Sequence, residues 1–256
     1  MLIHVSAHDA QEAFDVGMAA AEKFRSLLNY YFGLGRMRMS FGYEYKPAND
    51  FRWGALHTLH FPDGTDAYDG CVYDRDYFPN DNLKGVTVKS KQFEKFYKRI
   101  VRLNKKSSLS DVFWKGLVRY NSALDRSDLL QSFRDLWSVL EFLTNTGKNG
   151  YEITVKRASS LFKNCDYHRE VLNHLRHRRN SIIHSGVDDE ASENLMYSCK
   201  AYVEAVLKYI MVNEFRFRSH AEFGEFLDLP RDRESLSKLE RQIKRALRLH
   251  HLPKGA

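Results

Sequence analysis

"SDLLQSFRDLWSVLEFLTNTG", residues 127–147, decides the fold class. Leu129, Phe133, Leu136, Trp137, Leu140 and Leu143 recur three or four positions apart, the spacing of one helical face. Ser127 is the expected cap and Gly147 the expected stop. A stripe this apolar must be covered by other helices, and the sequence supplies them on both sides. Upstream, "SLSDVFWKGLVRYNSALD" (108–125) reads as a helix, and in 92–102 Phe93, Phe96, Tyr97, Ile100 and Val101 form an amphipathic stripe. Downstream, helices are expected over 152–162, 168–183 and 190–215, the last aligning Leu195, Cys199, Tyr202, Val206 and Ile210; Pro230 ends this run. A final helix, "LSKLERQIKRALRLHHL" (236–252), is basic on one face and leucine-rich on the other.

Towards the N-terminus the texture changes. "LIHVSA" (2–7) reads as a short strand, and Asp9 caps a helix to about residue 31 with Phe14, Met18, Ala21, Phe24 and Leu28 on its apolar side. Beyond Gly33 come aromatics, glycines and turn pairs such as "PDG", with strands expected in "RMRMSFGYEY" (36–45) and "FRWGALHTLHF" (51–61). In that last strand His57 and His60 read as ordinary sheet residues. The expected organisation is mainly α: an N-terminal α+β region (1–84), an up-and-down helical bundle (85–230) and a basic C-terminal helix (231–256).

Composition narrows the function. With 256 residues and 43% apolar content the chain can bury a sizeable core. No window approaches the roughly 18 apolar residues of a membrane span. "MLIHVSAHDAQ" lacks the basic start and apolar run of a secretory signal, so a cytoplasmic protein that does not engage membrane is expected. Cys71, Cys165 and Cys199 are odd in number and widely spaced, which argues against a disulfide framework or a thiolate metal site. Reduced, half-buried thiols are expected. The net charge of +7 is concentrated: 84–106 carries +8 and 231–256 carries +5, leaving −6 on the remainder. Lys95, Lys98, Arg99 and Arg102 in the first patch, and Arg241, Lys244, Arg245 and Arg248 in the second, are candidate RNA-binding residues. A solvated charged face explains the same pattern equally well. The aromatics of 92–102 are expected on the buried stripe, which speaks against base stacking there.

The chemistry-bearing stretch is "RRNSIIHSG", 178–186. On an ideal helix with Leu175 at zero, Val171, Ile182, Leu172 and Ile183 define an apolar arc from about 320° to about 80°. Arg179 falls inside that arc and Arg178 on its flank. A guanidinium there needs a counter-charge: Glu141, a dimer interface or a ligand anion. His184 lies about 140° around the helix from Arg179, aligned with His177 and Asn180. The pair converges only if the helix unwinds at "IIHSG" or if two segments meet across a two-fold axis. Brought together, histidine can take a proton from a ribose 2′-hydroxyl and arginine can hold the phosphate, with no metal or cofactor needed. His174, His177 and His184 near one stripe invite a metal reading, but no acid or cysteine completes it. Glycine-rich phosphate loops and paired-carboxylate metal motifs are absent from the sequence, which argues against nucleotide hydrolases and nucleotidyltransferases.

"RNSIIH" followed by "SG" resembles the R-x(4–6)-H signature of the HEPN superfamily. "VRYNSALDRSDLLQSFRDLWSVLEFLT" (118–144) and "FGEFLDLP" (223–230) resemble the Apea-like branch of that superfamily, so the likeness spans about 108–230. It implies a HEPN-like bundle that dimerises through facing signature segments. The implied activity is metal-independent RNA cleavage to a 2′,3′-cyclic phosphate, often in a prokaryotic toxin or antiviral defence effector. A protein regulator is a further implied partner. Arg179, Asn180 and His184 match the motif residue by residue; Arg178 also fits the allowed spacing, and Glu141 and His177 are candidate supporting residues. Members that have lost activity persist as dimeric modules binding nucleic acid or protein, which is the alternative reading.

Overall fold

The computed structural model describes residues 3–40, 47–73, 77, 90–106, 108–147, 150–185 and 192–250, apart from the side chains at 90, 106, 151 and 183–185. Among the described residues the chain forms α1 (Ala10–Gly33), a two-residue hairpin pair β1 (Leu56–His57) and β2 (Val72–Tyr73), then α2 (Ser90–Lys106), α3 (Ser110–Leu124), α4 (Leu129–Leu143), α5 (Tyr151–Ser160), α6 (Cys165–Ser185), α7 (Ser192–Val212), α8 (His220–Leu227) and α9 (Arg233–Leu249). The expected helical bundle with a small N-terminal α+β region is what the chain builds.

α4 is the hub, packed against α3 and α7 most extensively and against α5 and α6 at its other sides. Phe133, Leu136, Trp137, Leu140 and Leu143 are fully buried, as the stripe requires. They meet Leu117 and Phe113 of α3 and Val203, Val206, Leu207 and Ile210 of α7 in one continuous core. Burying a single such side chain contributes about 1.5–3 kcal/mol, so α4 alone accounts for several such increments. Gly116 lets α3 approach α4: a Cβ there would lie 2.4 Å from Leu143 Cδ2.

The ends of α4 differ from expectation. Asp128, not Ser127, is the cap; its carboxylate accepts from the amides of Leu130 and Gln131 because its extended backbone stands directly before the first helical residue. The helix stops at Leu143, ahead of Gly147, through a left-handed Asn145 (φ 54°). The Thr146 amide then closes onto Glu141 O and the Asn145 amide onto Phe142 O, a Schellman pattern.

The strand expectations shrink. Residues 3–7 and 36–40 have no regular structure, 41–45 lie outside the described residues, and only Leu56–His57 of 51–61 is strand, paired antiparallel with Val72–Tyr73. His57 sits in β1 with its ring edge-on to Trp53 at 5.3 Å, and His60 pairs with Asp66 at 2.9 Å. The hydrogen-bonding capacity of the 47–53 loop is spent on α1 and α3 rather than on a sheet.

α1 buries Ala21 and half-buries Phe14, Met18 and Leu28 of its expected side, but its inward face extends beyond that stripe. Phe24 is 48% exposed, while Arg25, Ser26, Asn29 and Tyr30 are buried. Arg25 pairs with Asp125, just after α3, at 2.6 Å and with Glu22 at 2.8 Å. Asn29 donates to Asn121 Oδ1 at 2.7 Å and to Phe51 O at 2.8 Å. Periodicity of apolar residues missed Arg25, Ser26 and Asn29 because they are polar.

The remaining expected helices form within a few residues of their predicted bounds, and α8 adds one that periodicity had not isolated. Its start is capped by Ser219, whose Oγ accepts from the Glu222 amide at 3.0 Å, while Glu222 accepts from the amide of Arg218 just before the cap. The cysteines are unpaired by disulfide, with Cys71 exposed, Cys165 intermediate and Cys199 buried. Among the described residues, no helix is long and apolar enough to cross a membrane.

Candidate functional site

The signature segment lies in the second half of α6. Leu172, Leu175 and Ile182 are buried and Val171 packs against the core, so the apolar arc faces inward as expected. Arg178, Arg179 and Asn180 are each half-buried, whereas His174 and His177 are exposed. Arg179 Nη1 donates to Asn180 Oδ1 at 3.2 Å.

Across from α6, Glu141 of α4 is the acidic neighbour. Burial pushes its carboxyl up; the hydrogen bond from Trp137 Nε1 (2.8 Å) and the positive charge of Arg179 pull it back only in part. Arg179 therefore lies within the field of Glu141, one of the three partners open to it from the sequence. The third wall is α7, where burial raises the Cys199 thiol and the Glu141 charge raises it further. The structure thus gathers Arg179, Asn180 and Glu141 at the junction of α4, α6 and α7. Chemically the cluster offers a planar cation, an amide and a carboxylate held at low solvent exposure, which suits binding an anion or orienting a phosphate.

The side chain at His184 lies outside the described residues. The helical backbone, however, continues through His184 to Ser185. Unwinding at "IIHSG" ahead of residue 186 is thereby removed as a route to convergence. On an unbroken helix, positions 179 and 184 stand about 140° apart around the axis.

The candidate RNA-binding residues are on the surface. Lys95, Lys98, Arg99 and Arg102 are exposed on α2, which rests on α7, and Lys98 pairs with Glu94 at 2.6 Å. Phe96 and Ile100 of the expected buried stripe are inside, but Tyr97 is 54% exposed. That corrects the expectation for this aromatic. It stands about 100° from Lys98, the nearest of those four cations around the helix, so ring and cations do not share a face. Arg241, Lys244, Arg245 and Arg248 are exposed on α9, none of whose residues is buried.

Three buried polar clusters escaped the sequence reading. Besides Arg25 with Glu22 and Asp125, Lys200 pairs with Glu204 at 2.5 Å, donates to Gly33 O and Arg36 O, and shares Glu204 with the Tyr120 hydroxyl (2.6 Å) and the Gly35 amide (3.1 Å). Burial pushes the Tyr120 hydroxyl well up, and the Glu204 charge adds to it. This cluster borders a cleft between the end of α1, residues 48–50 and α7 that is also lined by Arg36, Arg38, Asn49 and Tyr197. Arg157 of α5 pairs with Asp228 at 2.6 Å and donates to Thr144 O at 2.9 Å, fastening the turn after α4 to the end of α8. The i,i+3 pair Glu22/Arg25 and the i,i+4 pair Lys200/Glu204 were available as weak signals in the sequence; the Arg157 link joins residues 71 positions apart and was not. All three clusters hold elements together.

No protein-family model, curated protein or solved structure matches the chain.

Proposed function

We propose that the chain is a metal-independent endoribonuclease of HEPN type, working in the cytoplasm as a homodimer, with a role as a toxin or antiviral defence effector under a protein regulator. In this reading the His184 imidazole takes the proton of a ribose 2′-hydroxyl. The O2′–P bond forms, the P–O5′ bond breaks, and a proton returns to the leaving 5′-oxygen, giving a 2′,3′-cyclic phosphate and a 5′-hydroxyl. Arg179 holds the phosphate and favours the more highly charged transition state; Asn180 orients it or the phosphate. Glu141 positions Arg179. The cations of α2 and α9 steer RNA by its backbone.

The observation that carries this reading is Arg179, half-buried at the α4–α6 junction with Asn180 hydrogen-bonded to it and Glu141 in electrostatic reach. Because Arg179 and His184 stand on different sides of one continuous helix, the chemistry requires two chains. The same arginine also supports a second reading, an inactive HEPN-like module that binds nucleic acid or a protein partner, since its attraction to Glu141 links α6 to α4 without any chemistry.

Labelled RNA incubated with purified protein in EDTA separates the two. Cleavage to cyclic-phosphate ends, lost in His184→Ala by at least 100-fold at unchanged thermal midpoint, is the expected result. Salt-sensitive binding without product at any protein concentration would favour the inactive module, and cleavage abolished by EDTA would end the metal-independent scheme.

A further inference from the structure

Arg134 stands in the first half of α4, half-buried, and its Nε is enclosed without a hydrogen-bond partner. Its own helix cannot answer it. Leu130 and Gln131 lie four and three residues before it, Trp137 and Ser138 three and four after, so no carboxylate occupies a position that an intrahelical ion pair would use. Asp135, next in sequence, is held by Arg126 at 3.1 Å and by Gln131 at 2.7 Å. Among the described residues Arg134 makes no ion pair.

Its place on α4 is that of the candidate site. Seven residues separate it from Glu141, which puts the two about 20° apart around the axis and about 10 Å apart along it. Leu130 packs against the core and Trp137 is part of it, on the inner side of this flank. The charge of Arg179 on α6 acts on Glu141, and α6 touches α4, which marks the flank as the one turned toward α6. Two guanidinium groups, one from each helix, thus border the same seam. A polymer with an anion at every unit is the ligand that suits two cations spaced along a seam. Guanidinium matches phosphate oxygens two at a time, and the cost of an enclosed N–H left unmet disappears when such an acceptor arrives.

We infer that Arg134 is a second phosphate-binding residue of the same site: it holds the RNA phosphate next to the scissile one, so that the strand lies along the α4 flank and the scissile phosphate meets Arg179. The inference rests on the RNA reading proposed above and deepens it by naming a further phosphate position and the helix that supplies it. Its evidence, the unmet guanidinium and its register with Glu141, stands whether or not the chain cleaves what it binds.

Binding of oligo(U) RNA to the full chain in a His184→Ala background is the test, because it reads affinity without turnover. Arg134→Gln is expected to weaken binding about tenfold. It should also lower the slope of log affinity against log salt by about 0.7, the share of one single-strand phosphate. Arg134→Lys should restore the slope, since a point charge still neutralises the phosphate, but only part of the affinity, since the planar fork is gone. Rescue of the slope is what a packing role would not produce. The thermal midpoint of Arg134→Gln should hold, because the side chain has no ion pair to lose; a lowered midpoint would reveal a partner within the fold and overturn the inference. Unchanged affinity, or a loss of affinity at unchanged slope, overturns it too. Dissociation of a dimer by Arg134→Gln with affinity per dimer intact would give the guanidinium to the second subunit instead. A parent protein that binds no RNA overturns both the inference and the proposed function. An Arg134-dependent slope in a chain whose wild type leaves RNA intact in EDTA ends the nuclease reading alone and upholds the phosphate contact.

Discussion

Arg25 and Arg179 are the same electrostatic problem met at two depths. Arg25 is 7% exposed, and its guanidinium is answered within the chain by two carboxylates and the Phe51 carbonyl. Arg179 is half-buried and lies in the field of Glu141, whose net shift is upward because burial outweighs both Trp137 and Arg179. The sign follows from linkage. A carboxyl whose folded value lies above its unfolded one contributes stability that is fully present below about pH 4.5 and lost as pH rises through the folded value. Ionised Glu141 is therefore a stability cost at neutral pH. Glu141→Gln, which keeps an acceptor for Trp137, is expected to hold or raise the urea midpoint at pH 7, with the gain shrinking as pH falls into the ordinary carboxylate range. A clear loss at pH 7 would mean that attraction to Arg179 dominates burial. Activity is expected to fall in the same variant, because Arg179 loses the charge that positions it.

At the scale of elements, the turn after α4 is secured from outside. Its last carbonyls would be orphans at a helix end. Arg157 of α5 reaches Thr144 O and Asn145 O while also pairing with Asp228 after α8, and His220 of α8 contacts Leu143 O at 3.0 Å. One side chain thus joins α4, α5 and α8, which explains why "FGEFLDLP" belongs to the bundle rather than to the tail. Arg157→Met removes these bonds and leaves the buried Thr144 carbonyl unmet, so a loss of about 2 kcal/mol is expected, the cost of an unsatisfied buried acceptor, with the partly exposed Asp228 adding little. Urea unfolding monitored by tryptophan fluorescence would show it; a change under about 1 kcal/mol would mean that water replaces the guanidinium.

At the scale of the whole molecule, the continuous α6 carries the proposed mechanism. If Arg179 and His184 of one cleft come from different chains, mixing Arg179→Ala with His184→Ala protein should restore activity to about a quarter of wild type, since half of randomly formed dimers are mixed and each then holds one intact site. Each variant alone should be inactive. No recovery on mixing, with subunit exchange verified, would place both groups of a site in one chain and contradict the reading drawn from helix geometry.

The sequence by itself determined the helices and the inward side of most of them. Leu, Phe and Trp at a 3.6-residue period have one stable arrangement in water, and the α4, α6 and α7 stripes were legible from spacing alone. It also located Arg179 on the apolar arc. Tertiary structure decided what spacing does not encode: that α1 turns Arg25 and Asn29 inward because Asn121 of α3 and Asp125 at its end are there to meet them, that residues around 50 bond to helices and not to a sheet, and that α6 keeps its helix through His184. The difference is one of range. Apolar periodicity is a local property written along the chain, whereas the energy of a buried polar group is set by whichever partner the fold carries to it.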